Sequence, residues 1–343
     1  MKLSIIVPVY NMAADDKLTY CLDSLVAQTI DDYEIIAVDD CSTDGSFAIM
    51  QDYEKNYPEK FRTIHSEVNL HQGGAKNIGI KAAKGDWIGF IDADDWIVPD
   101  YYERMIAKAE ETGADIVGCD ITYVYSHTYD VGDKEANSNI DQVGVLDYDK
   151  KKSLILDSGS LCVKIFRRQT IIDNELWFPE NIFYEDNAMG NSYMLMGKHF
   201  EYIQEPMYYY YQHGDSTVHS FSVKRCEDRM EAGRIMIAEA KRLGFYDEFK
   251  PELEYKFTQL FYVNTLFTYM PCVRPTKVSF VKAMTDELLR YFPDFRGNEY
   301  YKARTGEEEK RLIDMACASP LRFYVYYKLL WIYRNTMKKM RGR

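Results

Sequence analysis

The chain has 343 residues, enough for one large domain or two ordinary ones, and its 46% hydrophobic and 28% charged residues are the balance of a globular protein with a real core. Its formal net charge of −12 argues against a nucleic-acid partner, because phosphate binding needs a surplus of Lys and Arg. Seven scattered cysteines (Cys21, Cys41, Cys119, Cys162, Cys226, Cys272, Cys317) form no C-x-x-C pair, which speaks for free thiols in a reducing cytosol and against a disulfide framework or a zinc site.

The N-terminal apolar run ends at Pro8, too soon for a signal peptide or a membrane span, and reads as a first buried strand over 3–9. Helical spacing of apolar residues follows over 18–28, then a second strand over 34–38. The turn C-S-T-D-G-S leads into a helix through about Tyr53, in which Asp44 suits the capping role. A third strand covers 61–65, a helix opened by paired glycines 73–83, a fourth strand 87–91, a helix 100–110 and a short fifth strand 115–118. Strand–helix alternation at this spacing predicts an α/β fold with a mainly parallel central sheet flanked by helices. Residues 120–148 read as an irregular or hairpin insertion, 149–218 as mixed, and everything beyond 222 as mostly helical, with 304–311 either a linker or an exposed helical face. No later window has the roughly 18 uncharged residues of a spanning helix. The domain expectation is a catalytic domain over 1–220, with a nucleotide-binding half to about 118 and an acceptor half from 119, followed by a helical region over 221–343.

In a parallel sheet ligands bind beyond the carboxyl ends of the strands, so those ends are read together. They are V-P-V-Y-N at 7–11, V-D-D at 38–40, V-N-L at 68–70, and I-D-A-D-D at 91–95. A G-x-G-x-x-G dinucleotide turn after the first strand is absent, so phosphate is held otherwise. Asp92, Asp94 and Asp95 lie within four positions and repel one another unless a cation sits among them. Such a D-x-D serves a divalent cation gripping a diphosphate, or a phosphatase nucleophile, or, for one carboxylate only, a helix cap. The phosphatase use normally falls on the opening strand, about ninety residues earlier than here.

The strings S-I-I-V-P-V-Y-N, I-I-A-V-D-D-C-S-T-D-G-S and G-G-A-K-N-I-G-I-K-A-A-K-G-D-W-I-G-F-I-D-A-D-D, in this order, resemble the inverting family 2 glycosyltransferases of the GT-A fold, bacterial surface-polysaccharide type. Y-E-D-N-A-M at 184–189 is similar to the family's glutamate–aspartate motif, and Y-Y-Y-Y-Q-H-G-D-S-T at 208–217 to its tyrosine-rich strand and loop. The resemblance implies a sugar-nucleotide site holding Mn²⁺ or Mg²⁺. Pro8 and Tyr10 would line the base pocket and Asp40 would accept a hydrogen bond from a uracil ring nitrogen. Asn69 and Lys76 would approach base, ribose or phosphates, although family members often carry Arg where Lys76 stands. Asp92 and Ala93 would lie against the donor, Asp94 would be the main metal ligand, and Asp95 a secondary ligand or a helix-entry cap. Asp186 would be the general base, with Glu185 the alternative. His213 would lie near the diphosphate or metal. Lys164 matches a basic position often seen in these enzymes, and otherwise reads as a surface lysine beside Arg167 and Arg168.

The implied reaction is metal-dependent inverting transfer from a UDP-sugar to a hydroxyl of a glycan or lipid-linked glycan. The same fold with a GDP- or dTDP-sugar is one alternative. A non-catalytic sugar-nucleotide-binding subunit is another, against which Asp94 and Asp186 speak. The Q-x-x-R-W motif and multiple spans of processive members are missing from the sequence. From Pro320 onward seven cations and no acid interleave with Tyr, Leu, Trp and Ile. This tail reads either as an interfacial helix on anionic lipid, placing a cytoplasmic enzyme peripherally on the inner face of the membrane, or as a terminal helix packed on the body.

Overall fold

A computed structural model describes residues 1–214 and 221–340, and the chain divides into two compact units, Met1–Ser216 and Thr217–Arg343. The loop residues Asp215 to Thr217 of the predicted tyrosine-strand motif, and Arg341 and Arg343 of the tail, lie outside the described residues.

The first unit runs β1 (Leu3–Val9), α1 (Lys17–Val26), β2 (Tyr33–Asp39), α2 (Ser46–Asn56), β3 (Phe61–His65), α3 (His71–Ala82), β4 (Trp87–Phe90), β5 (Trp96–Ile97), α4 (Tyr101–Thr112) and β6 (Ile116–Val124). It continues with β7 (Asp133–Glu135), β8 (Gly144–Val145), α5 (Tyr148–Leu156), β9 (Lys164–Arg167), α6 (Arg168–Asp173), α7 (Glu185–Met196) and β10 (His199–Tyr211). The strands form one sheet in the order β3-β2-β1-β4-β9-β6-β10-β5, with β7 beside β6 and β8 beside β10.

Every residue of β1 and β2 is buried, as a strand covered by helices on both faces requires. β3, β2, β1 and β4 are parallel, and so are β6 and β10. The short strands depart from a simple parallel sheet: β5 and β8 run antiparallel to β10 and β7 antiparallel to β6, and β9, four residues long, is antiparallel to both β4 and β6 and wedged between them. β6, expected over 115–118, also runs further than its sequence suggests, through Val124, because its second half pairs with β7 on one side and with the long β10 on the other. The core gathers Leu3, Ile5 and Val7 from β1, Ile35 and Ala37 from β2, Leu18, Leu22 and Leu25 from α1, and Tyr101, Tyr102 and Met105 from α4.

Two glycines set how α3 lies. A Cβ on Gly79 would stand 2.4 Å from Cγ2 of Ile6, and one on Gly73 would stand 2.1 Å from the carbonyl oxygen of Pro179. The helix therefore touches β1 on one side and the segment before α7 on the other.

The second unit is helical among its described residues: α8 (Val223–Arg242), α9 (Lys250–Phe257), a π-helical turn (Thr258–Val263), α10 (Asn264–Cys272), α11 (Val278–Tyr291), α12 (Glu299–Arg304), α13 (Glu307–Ala318) and α14 (Pro320–Met340). Residues 304–311 turn out to be the break between α12 and α13, both of them helical. All seven cysteines are free. No helix among the described residues is long and apolar enough to cross a membrane.

Gly79→Ala tests the close approach of α3. Alanine in a helix normally gains about 0.5–1 kcal/mol over glycine, but here the methyl meets a β-branched side chain locked in a central strand. The variant is expected to lose stability, on the order of 1–3 kcal/mol, read as a lower urea midpoint; an unchanged or raised midpoint would show that the helix stands further off.

Candidate active site

The loop after β1 and the turn after β2 are tied backbone to side chain. Asn11 N–H donates to Ser42 Oγ (3.0 Å), Met12 N–H to Ser46 Oγ (2.7 Å) and Ala13 N–H to Asp44 Oδ2 (3.0 Å), while Asn11 Oδ1 accepts from Thr43 N–H (2.8 Å). Asp44 also accepts from Ser46 N–H at the start of α2 (2.9 Å), although the N-cap position itself is Gly45. Pro8 sits in β1 opposite Val38, and Tyr10, just past the strand end, is exposed. Asp39 is consumed internally, facing Ser42 N–H and the His65 Nδ1 at 2.7 Å. Asp40 is buried and its Oδ1 accepts from Leu70 N–H at 2.7 Å; burial raises its carboxyl above the usual range, opposed by that hydrogen bond. Asn69 is next door, its Oδ1 accepting from His71 N–H at the entry to α3. Pro8, Tyr10, Asp40 and Asn69 thus rim one edge of the sheet.

At the end of β4 the three carboxylates take different partners. Asp95 is buried: Oδ2 accepts from Tyr208 O–H (2.7 Å) and Oδ1 from Tyr211 N–H (2.9 Å). Burial, then Asp94 and Asp92, push its pKa well up. It is not the cap of α4, since both its oxygens anchor β10. Asp94 faces His213, Oδ2 to Nε2 2.9 Å, and the other ring nitrogen of His213 is buried without a hydrogen-bond partner. Asp92 lies near Gln72 Nε2 (3.4 Å) and Cys162 Sγ (3.4 Å), and burial, partly offset by Lys76 and reinforced by Asp94 and Glu185, lifts it to about 6. Ala93 is buried between them, where its small side chain joins the core.

Lys76 is buried on α3 rather than open to solvent, and its Nζ stands 2.7 Å from Glu185 Oε1, also buried. Burial works to lower the lysine pKa, but the field of Glu185, Cys162, Asp92 and Asp186 outweighs it and the pKa rises. The lysine therefore sits on the carboxylate side of the site. The seam around it is continuous: Asn77 exchanges two hydrogen bonds with the Phe178 backbone (2.8 and 2.9 Å), Asn181 N–H donates to Leu70 O (2.9 Å), and the His71 and Phe183 rings lie 4.7 Å apart. Glu185 and Asp186 open α7, where the helix N-terminus favours negative charge. Asp186 is only partly buried, and its Oδ1 accepts from the backbone and side-chain N–H groups of Asn187 (2.7 and 2.8 Å).

Lys164 is not a surface lysine: it is fully buried, its Nζ donating to Ser160 O at 2.7 Å, and burial brings its pKa down to about 7. The central position of β9 explains this. Gln72, Cys162 and Tyr208 are contributors that the sequence did not single out individually. Tyr208 links the Asp95 carboxylate to the backbone at the end of β4, donating to Asp95 Oδ2 and accepting from the Asp92 backbone N–H (3.3 Å).

Residues 4–172 match the family described as Glycosyl transferase family 2. The putative glycosyltransferase EpsH of Bacillus subtilis is 32% identical over 256 residues, 74% of this chain and 73% of its own length. The glycosyltransferase YibD of Escherichia coli is 32% identical over 220 residues, 63% of each chain, so the match spans somewhat less than two-thirds of that relative. Among solved structures, Staphylococcus aureus TarS 1–349 in complex with UDP superposes with a TM-score of 0.72 at 20% identity, covering 100% of this chain and 92% of that one. The same fragment has also been solved with UDP-GlcNAc. The fold is that of a GT-A glycosyltransferase. This chain belongs to glycosyl transferase family 2 and is a transferase of that family.

The buried Lys164 makes a pH prediction. Its folded pKa of about 7 lies below the ordinary lysine value of 10.5, so the unfolded chain binds more protons between those limits and stability gains from rising pH across that window. Below pH 7 both states are charged and the burial cost stands in full. Lys164→Met removes this contribution, and its urea midpoint relative to the parent is expected to be most favourable at or below pH 7. That advantage is expected to shrink by up to about 1.4 kcal/mol per pH unit toward pH 10. Parallel curves for the two proteins would refute it.

Proposed function

We propose that this enzyme moves a sugar, with inversion, from a UDP-sugar to a hydroxyl of a glycan or lipid-linked glycan acceptor in surface polysaccharide synthesis, using Mn²⁺ or Mg²⁺. The observation that carries the catalytic part is the unequal treatment of two adjacent acids. Glu185 is buried against Lys76, whereas Asp186 is partly open and, among the described residues, accepts hydrogen bonds from its neighbour Asn187. A carboxylate already paired with a buried ammonium is a poor proton acceptor, and an open one beside it is a good one. Asp186 takes the acceptor proton as the hydroxyl oxygen bonds to the anomeric carbon. The bond from that carbon to the diphosphate oxygen breaks on the opposite side, the electron pair leaving with the nucleotide, and single displacement inverts the centre.

The donor set near the diphosphate position suits a shared rather than an enclosed cation. Among the described residues no three His, Cys, Asp or Glu side chains converge as a metal cage. Asp94 and His213 instead face each other, with Asp92 alongside and one imidazole nitrogen unpartnered. Two protein ligands that leave further positions to phosphate oxygens match how Mg²⁺ and Mn²⁺ bind nucleotide diphosphates. Asp94 and His213 would hold the ion, which would supply Lewis-acid stabilisation of charge on the departing diphosphate. Support for a uridine donor comes from the buried Asp40 beside Asn69 at the rim, and from the UDP and UDP-GlcNAc complexes of TarS. The location in this reading is cytoplasmic, with the C-terminal helix in peripheral contact with the inner face of the membrane, where a lipid-linked acceptor would lie.

Donor turnover across a panel of UDP-, GDP- and dTDP-sugars with Mn²⁺ tests this. UDP-sugars are expected to be preferred. Asp94→Ala is expected to lose metal-dependent donor binding, measured by calorimetry with UDP and Mn²⁺. Asp186→Ala should keep that binding and lose about 10²–10⁴ in transfer rate; transfer at the parent rate would remove Asp186 as base.

A further inference from the structure

Helix α14 has two faces of different fate. Its inner face is tied to the other helices of the second unit. Phe323 is buried, Tyr324 O–H donates to Thr276 O (2.8 Å), and the Tyr327 ring lies 6.2 Å from Phe267. Arg274 stacks over Trp331 at 4.9 Å, Arg311 donates to Tyr326 O–H (3.0 Å) and Arg334 pairs with Glu308. The outer face carries Leu321, Val325, Leu329, Ile332, Tyr333 and Met340, all exposed, with Leu321 and Leu329 at 61% and 62%. At 3.6 residues per turn these six fall on a stripe covering about a third of the circumference, running along a helix roughly 30 Å long. Arg322 and Lys339 project within the same stripe and are exposed.

We propose that this outer stripe is a membrane-docking face, lying in the plane of an anionic lipid surface with its aliphatic side chains at the headgroup boundary. The inference rests on the reading of a lipid-linked acceptor and names the surface and the lipid chemistry that bring the enzyme to it. An apolar stripe of this length needs a partner, and charge decides which one. Residues 320–343 hold seven Lys and Arg and no acid, in a protein of net charge −12. Anionic headgroups complement the exposed Arg322 and Lys339 within the stripe. A second copy docked stripe to stripe would instead set Arg322 and Lys339 against their own like charges, with no carboxylate on the helix to neutralise them. The anchored inner face keeps the helix on the protein while the outer face meets lipid, which is the arrangement of an interfacial helix and not of a spanning one.

The test is co-sedimentation of the full chain with vesicles of phosphatidylcholine alone and of an equal mixture of phosphatidylcholine and phosphatidylglycerol, comparing the parent with Leu329→Glu/Ile332→Glu. Both substitutions face solvent, so folding is preserved, and equal UDP binding by the two proteins verifies it. The parent is expected to sediment with the mixed vesicles and not with the neutral ones, less so as salt rises, and the double variant to bind at least about tenfold more weakly. Equal sedimentation of parent and variant, or no sedimentation of the parent with mixed vesicles, overturns the proposal. So does a dimer of the parent, seen by light scattering, that the substitutions dissociate. Loss of UDP binding by both proteins with vesicle binding intact would count against the sugar-nucleotide reading and leave the docking face standing.

Discussion

The site depends on one buried cation. Lys76 is fixed against Glu185 in the interior of the first unit, with Asp92 and Asp186 within its field. Carboxylates gathered at strand ends repel one another, and burial sharpens the repulsion because water no longer screens it. An ammonium placed among them offsets part of that cost. The same lysine ties α3, which follows β3, to the first turn of α7, which carries the candidate base. Removing one partner of such a pair leaves an uncompensated buried charge, at a cost of about 3–5 kcal/mol. The neighbouring contacts reinforce the geometry: Asn77 clamps the Phe178 backbone and Gly73 lets Pro179 approach to where no larger residue would fit. The position of Asp186 is therefore set by an interface between α3 and the segment before α7, more than by α7 itself.

Around that cation the carboxylates divide their work by what each can reach. Asp95 is spent on architecture, holding Tyr208 and the backbone of Tyr211 so that β10 lies beside β5 and delivers His213 to Asp94. Asp94 keeps an imidazole as its facing partner. Asp92, raised to about 6 by burial, has Gln72 and the Cys162 thiol close to its oxygens. Three acids adjacent in sequence thus have three environments, because a strand ending in a tight turn points successive side chains in different directions.

How much of this was legible in the sequence follows from the range of the interactions. Continuous apolar runs announced β1 and β2, since a doubly covered strand has no polar face to show. The rule that parallel strands present ligand sites at their carboxyl ends gathered Asp40, Asn69 and the three aspartates before any coordinates were needed. What stayed hidden was pairing across long separations. The partners of Asp95 are 113 and 116 residues away and that of Lys76 is 109 away. Lys164 stands beside two arginines, a pattern that reads as surface. Only the insertion of β9 between β4 and β6 makes it interior, and a four-residue strand carries too little periodicity to announce that. Antiparallel pairing there was invisible for the same reason, since no short turn joins β9 to either neighbour.

The C-terminal helix shows a different limit of sequence reading. Packing on the body and facing a lipid surface looked like competing accounts of one aromatic, basic segment. On a helix they are separate faces, and α14 carries large apolar side chains on both, so no simple amphipathic pattern emerges along the sequence. Tyr324, Tyr326, Tyr327 and Trp331 take the inner face, where Tyr324 finds the Thr276 carbonyl and Trp331 lies under Arg274, while Tyr333 stands with the outer residues. Leucine, valine and isoleucine dominate the outer face, where no polar tip needs a partner. The largely aliphatic outer face becomes visible only once the packing of α14 on its neighbours fixes which side is inward.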